Sequence, residues 1–303
     1  MVKWPERVNI TPEGIATLED ILVTSYNQIL GEINSATNFG VANRKVILAQ
    51  IDAHLQTMGV NVNDFISTEI PAQYKDGAND AVNQLTDLGA EVAVKTGFNT
   101  VHTEAINALV SDTASSFADA MQGVHRSAQR LLSAAVKQQI TQNIATGMAQ
   151  GSTLDAVKKQ IKGTLADNGL DSLVDKSGRS WTLDRYAEML YRTKMAEARN
   201  LGMVNRMAEN GYDLVQVSAH GAIDVCGPWE GQILSTTGAT REYEGESIST
   251  VQQATDDGLF HPNCRHALNA IVPYLAANAY GYDKTSKTYV KGQINILAKQ
   301  AAK

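Results

Sequence analysis

Apolar positions recur at three- and four-residue spacing through most of the first half of the chain, as in helices that bury one face. Thr11 stands where an N-cap belongs and Pro12 at a first helical position; Ile15, Leu18, Leu22, Ile29 and Ile33 follow as one stripe, with Gly14 its weak point. Val46, Ile47, Ile51 and Leu55 repeat the spacing up to Gly59, the expected stop. Pro71 is the expected restart, and Val82, Leu85, Leu88, Val92 and Phe98 form the next stripe. No proline lies between Asn99 and Gly147. Val101, Ala105, Ala108, Ser115, Ala118 and Met121, continued by Leu131, Leu132, Ala135, Val136, Ile140 and Ile144, predict one long helix or two joined near Gly123. That small-residue face suits a core helix or an interface helix, because such a stripe buries little on its own.

The pattern then changes. Ser152, with Asp155 at the capping-box position, opens a helix expected to end near Asp167. Residues 172–182 place a Lys-Ser-Gly turn signal between short extended stretches. Thr182 and Asp184 open a strong helix through Leu183, Tyr186, Ala187, Leu190, Met195, Ala198, Val204 and Met207, ended by Gly211. Leu214, Val215 and Val217 read as a strand, as do Gln232 to Leu234, and Arg265 to Val272 is a third apolar stretch stopped by Pro273. Ser247 to Asp257 reads as a short helix closed by Gly258, and the tail after Tyr280 as a loose basic helix. The expected architecture is α+β. A helical domain over 1–150 precedes an α+β domain over 151–278 and a basic tail over 279–303, with the boundary between Thr146 and Gly151.

Composition narrows the class. A chain of 303 residues, 43% hydrophobic and 19% charged, can bury a core and is not globally disordered. No apolar run reaches the roughly 18 residues of a spanning helix, and the N-terminus has no apolar core of a secretory signal. The net charge of -6 argues against a general DNA-coating protein, but the charge is uneven. Residues 1–120 carry 6 basic and 15 acidic side chains, 121–162 carry 6 and one, 211–260 carry one and 8, and the last 43 carry 6 and one. Arg126, Arg130, Lys137, Lys158, Lys159 and Lys162 make the middle segment the candidate contact for DNA or a partner. No aromatic residue interleaves them, so such a contact would meet phosphates and not stack on bases. Arg185, Arg192, Lys194, Arg199 and Arg206 alternate with acids along one predicted helix, the pattern of a solvated face with local ion pairs; a DNA-facing stripe is the sharper alternative.

The concentrated chemistry lies between residues 220 and 266, which hold both cysteines and three of the six histidines. Cys226, Cys264 and His266, with His220 or His261, would supply the four Cys or His ligands of a structural zinc, although no CxxC pair is present. Two other readings stand beside it. The cysteines can be small buried hydrophobes with the histidines bonded to loop backbone, or they can form one disulfide. His54, His102 and His125 are scattered on helices, and Trp181 and Trp229 read as packing residues. The chain has no GxSxG, HExxH, P-loop or GxGxxG motif, so any acid–base chemistry would fall to these histidines, with Arg265 or Arg192 as anion stabiliser.

Four ordered blocks carry a family resemblance: SGRSWTLDRYAEMLYRT (177–193), GYDLVQVSAH (211–220), CGPWEGQILS (226–235) and GLFHPNCRHALNAIVP (258–273). Over roughly residues 170–275 the chain resembles phage minor capsid proteins of the minor capsid protein 2 group, which is related to the broader head-morphogenesis family. The resemblance implies a virion protein acting in head assembly at low copy number. It would bind the portal protein or the major capsid protein, self-associate, and in some relatives contact the packaged double-stranded DNA. It implies no membrane partner and no enzymatic role. The matching positions are Tyr186, Arg192, Thr193, His220, Trp229, Gly231, Asn263, Cys264, Arg265 and His266, which look like framework residues of a small α+β domain. Residues 267–270 depart from the aromatics of many relatives. Related modules also occur in phage-borne toxins, which implies the alternative of a nuclease-like or ADP-ribosyltransferase-like enzyme using His220, His266 and Arg265.

Overall fold

A computed structural model describes residues 8, 10–35, 41–93, 102–131, 172–174, 179–272, 280–283 and 288–291. Three long helices come first: α1 (Pro12–Ser35), α2 (Val41–Asp87) and α3 (Thr103–Leu131). A hairpin of β1 (Ser172–Val174) and β2 (Ser180–Thr182) leads into α4 (Leu183–Glu209). Then come β3 (Leu214–Val217), a 3-10 turn (Gly227–Trp229), β4 (Ile233–Ser235), β5 (Glu242–Tyr243), β6 (Glu246–Ser247), α5 (Val251–Asp256) and β7 (Leu268–Ile271). A last hairpin pairs β8 (Tyr280–Asp283) with β9 (Thr288–Lys291). The architecture is α+β, with helices leading and the sheet gathered late.

Two compact units divide the described residues. One draws on Ile15–Ile66 and Val110–Glu188, the other on Met1–Gly14, Ser67–Leu109 and Met189–Lys303, so α2, α3 and α4 contribute to both. The expected boundary between Thr146 and Gly151, and the helix expected from Ser152 to Asp167, lie outside the described residues.

In the helical unit, α1 buries Leu18, Leu22, Ser25 and Ile29, and α2 buries Ile47, Ile51, Leu55, Met58, Val62 and Ile66. His54 meets Glu32 at 3.3 Å, His125 meets Asp52 at 2.7 Å, and the Tyr186 hydroxyl donates to the Ser116 carbonyl at 3.5 Å. Several expectations are corrected. Neither Gly59 nor Pro71 interrupts α2, a single helix of 47 residues. The buried run through Ile66, Ile70 and Tyr74 outweighs the backbone hydrogen bond that Pro71 forfeits. Val46 is exposed, not part of the buried stripe. On α3 the buried face is Ile106, Leu109, Thr113, Phe117, Ala120, Val124 and Ala128, rotated from the small-residue face read from the sequence, and no joint occurs at Gly123.

In the second unit a three-stranded antiparallel sheet, ordered β4-β3-β7, packs on Ala81 and Leu85 of α2, on Leu88 just after it and on Met203 and Met207 of α4. Gly77 and Gly202 let these helices cross closely: a Cβ on Gly77 would lie 1.8 Å from the Arg199 carbonyl oxygen, and one on Gly202 2.0 Å from that of Tyr74. Arg199 fastens the crossing to Asp80 at 2.8 Å and Asp76 at 3.5 Å. Strand β7 is an edge of the sheet, and two helix side chains take the place of a further strand. Gln84 accepts from the Ala270 amide at 2.7 Å, and Asn200 accepts from the Leu268 amide at 3.2 Å and donates to the His266 carbonyl at 3.3 Å. The short helix is only α5, because Ser247 belongs to β6; Thr250 caps it in a capping box with Gln253. In place of the loose helix expected after Tyr280, the described residues form β8 and β9, with Tyr282 opposite Tyr289 in the register; the rest of the tail lies outside the described residues.

Candidate functional site in the sheet unit

The β3 strand ends at Val217 and delivers His220 to a loop; the 3-10 turn that follows carries Cys226 just before it and Glu230 just after. The segment leading into β7 brings His261, Cys264 and His266 against them. This second segment is pinned to α4, where the Thr193 hydroxyl accepts from the Asn263 amide at 3.0 Å and donates to the Met189 carbonyl at 2.7 Å. Asn263 has φ 68°, a left-handed conformation that asparagine tolerates better than most residues. Burial then alternates: Cys264 and His266 point inward while Arg265 between them is exposed.

Inside, Cys226 Sγ lies 3.6 Å from Cys264 Sγ, and Cys264 Sγ lies 3.2 Å from His266 Nδ1. The cysteines are free thiols, not a disulfide. His266 Nε2 is 3.1 Å from Glu230 Oε1. An ionised carboxylate only accepts, so Nε2 carries the hydrogen and the Nδ1 lone pair faces the thiols. Glu230 Oε1 also accepts from the His220 amide at 2.8 Å and the Ala222 amide at 3.0 Å, and Oε2 from the Gly221 amide at 3.3 Å. The His220 ring lies beside the His266 ring, 4.3 Å between centroids. His261 donates from Nδ1 to the Pro262 carbonyl at 2.8 Å and sets Nε2 3.1 Å from Asp224 Oδ2.

The electrostatics follow from these contacts. Burial opposes the charge on Glu230, but the His220 and Ala222 amides and His266 outweigh it and hold the carboxyl below its usual range. Burial likewise pulls His266 down, yet the Cys226 thiol and the Glu230 carboxylate bring it above an ordinary histidine. Of the two thiols Cys264 ionises first. Cys226 donates toward it, burial works against it, and the His266 and Phe260 amides point at its sulfur.

The structure thus gathers Cys226, Cys264, His266, His220 and His261 into one region and leaves Arg265 facing outward. Tyr186 is buried in the helical unit beside Phe117. Arg192 is half-buried on α4. The Trp229 amide donates to the Cys226 carbonyl and its ring packs on the sheet core, while Gly231, with φ 73°, donates to Val217 and accepts from Gln216. Of the basic candidates Arg126 is exposed on α3; Lys137, Lys158, Lys159 and Lys162 lie outside the described residues, as does the side chain of Arg130. Arg199 and Arg206 are ion-paired, Arg206 buried against Glu209 at 3.0 Å, so they form no free stripe. Asp224 and Glu230, acids of the same stretch of sequence, are the carboxylates that meet His261 and His266; nothing in the sequence pairs either acid with its histidine.

Long helices, and a small sheet module that buries both cysteines and His266, define an α+β protein. The chain belongs to the phage minor capsid protein 2 family, whose profile matches residues 33–302. It finds no match among curated proteins and none among solved structures. Family membership makes it a phage structural protein that associates with other head components. Among the described residues no helix is long and apolar enough to cross a membrane.

Proposed function

We propose that the protein is a non-enzymatic assembly component of a tailed-phage head, seated at the portal or on the inner capsid wall. The family match over residues 33–302 carries this reading, because it takes in both the helices and the sheet module. The cluster itself supports a structural role: Cys226, Cys264 and His266 are 0%, 4% and 2% exposed, which leaves a substrate no approach, and Arg265 faces away from them. The helices supply long surfaces for docking on a portal protein, a major capsid protein or another copy of the chain. The basic stretch from Arg126 to Lys162 is the contact offered to packaged duplex DNA.

The test is quantitative mass spectrometry of purified particles and procapsids from the phage that encodes the chain. A few copies per particle, in a fixed ratio to the portal, are expected. Absence from both particles and procapsids would overturn the assignment to the head.

A further inference from the structure

We propose that Cys226, Cys264, His266 and His261 form a structural zinc site that clamps the Cys226 turn to the segment entering β7. This inference does not depend on where in the particle the protein sits.

The first argument is distance. With Zn–S near 2.3 Å and Zn–N near 2.0–2.1 Å, neighbouring ligands of a tetrahedral zinc stand about 3.3–3.8 Å apart. The two sulfurs are 3.6 Å apart, and Cys264 Sγ is 3.2 Å from His266 Nδ1, so three corners are already drawn together. Three buried side chains from two segments 38 residues apart have converged on one point, with their ligand atoms toward it.

The second argument is the support behind the ligands. A zinc-bound histidine commonly donates its other ring nitrogen to a carboxylate, which fixes the ring and the tautomer. Glu230 does this for His266 and is itself held by three backbone amides. Cys264 Sγ also accepts from the His266 amide at 3.4 Å, which helps to fix where the sulfur points.

The fourth corner belongs to His261. Its Nδ1 faces the Pro262 carbonyl and its Nε2 faces Asp224 Oδ2 at 3.1 Å; the ring groups with Cys226 and Asp224 within 4.8 Å, and taking the corner exchanges Asp224 for the zinc at Nε2. Among the described residues the three-atom sets do not merge into a set of four, so closing the site draws the partly exposed His261 ring inward and away from Asp224, with the Pro262 carbonyl behind it. His220 is not a ligand. Its ring groups with Glu230 and His266 and with neither sulfur. Two sulfurs and two imidazoles select zinc over calcium or magnesium, which take oxygen ligands.

The full chain, purified under reducing conditions without chelator, should carry about one zinc per molecule by elemental analysis, and the folded sheet unit should depend on it. Cys226→Ser and Cys264→Ser should each lower this several-fold, whereas His220→Ala should keep it. Glu230→Gln leaves every ligand in place and should weaken zinc binding about 10- to 100-fold in chelator competition. Two measurements on the unmutated chain guard against variants that fail to fold. Cobalt substitution should give the intense visible bands of a tetrahedral site with thiolate charge transfer, and both thiols should become reactive only as chelator removes the metal. The proposal is overturned if the unmutated chain stays metal-free after incubation with zinc, if both thiols react freely with zinc present, or if folded Cys226→Ser and Cys264→Ser chains keep full zinc.

Discussion

Asp213, just before β3, shows how much one side chain can organise. Its carboxylate accepts from the Ser235 hydroxyl at 2.7 Å, from the Thr236 hydroxyl at 3.0 Å, from the Thr237 amide and hydroxyl at 2.7 Å each, and from the Thr240 amide at 2.9 Å. Burial works against its charge, but the Thr237 and Ser235 hydroxyls and the Thr240 and Thr237 amides overcome it and hold the carboxyl far below the ordinary range. A carboxyl whose pKa is depressed on folding contributes stability that is complete above the unfolded value, near 3.9, and is lost as pH falls toward the folded one. Asp213→Asn should therefore cost about 2–3 kcal/mol at neutral pH. In urea unfolding the gap to the unmutated chain should narrow as pH is lowered below about 4. A gap that does not change with pH would show that the charge is not what holds the turn. Sequence alone shows an aspartate ahead of a strand and a Ser-Thr-Thr run 22 residues later; nothing in their spacing brings them together.

Among the elements, the Gly77–Gly202 crossing matters most. Glycine inside a helix ordinarily costs up to about 1 kcal/mol against alanine, so a sequence reading treats it as a weak point. Here the missing Cβ is what allows α2 and α4 to approach backbone to backbone. Gly77→Ala and Gly202→Ala should each destabilise the protein by about 1–3 kcal/mol or more, because a methyl group would be driven into a carbonyl that cannot swing away. Gly31→Ala on α1, with nothing within 4 Å, should instead stabilise it by up to about 1 kcal/mol. Equilibrium unfolding of the three variants checks the sign. Stabilisation by Gly77→Ala would mean that the crossing is loose. The same contacts explain why Pro71 fails to end α2: burial on either side of it holds the helix, and local propensity yields.

At the scale of the whole molecule, the charge is divided more than it is large. A net charge of -6 repels DNA, but the basic stretch from Arg126 to Lys162 carries a local surplus. If all six of its basic side chains meet phosphates, as the proposed function has it, the logarithm of duplex affinity should fall against the logarithm of salt with a slope of about -5 at most. Replacing Lys158, Lys159 and Lys162 with glutamine should flatten that slope by about 3. Fluorescence anisotropy with labelled duplex DNA measures both. A slope that does not respond to these substitutions would place any DNA contact elsewhere on the chain.

What the sequence determined by itself was what depends on near neighbours. The α1 start at Pro12, the stripe through Leu18, Leu22 and Ile29, the α4 helix and the extended character of β1, β2, β3, β4 and β7 all rest on local spacing and capping. The gathering of histidine and cysteine between 220 and 266 was legible for the same reason, as was the family. Tertiary structure alone decided which histidine turns toward the thiols, that Glu230 stands behind it, that Arg265 faces out, and that Gln84 and Asn200 seal the edge of β7. It also rotated the buried face of α3 and carried α2 through Gly59 and Pro71. The physical reason is that these outcomes are set by partners far along the chain. Burial against a remote surface and a hydrogen bond across 36 residues, as between Glu230 and His266, leave no periodic trace in the residues that make them.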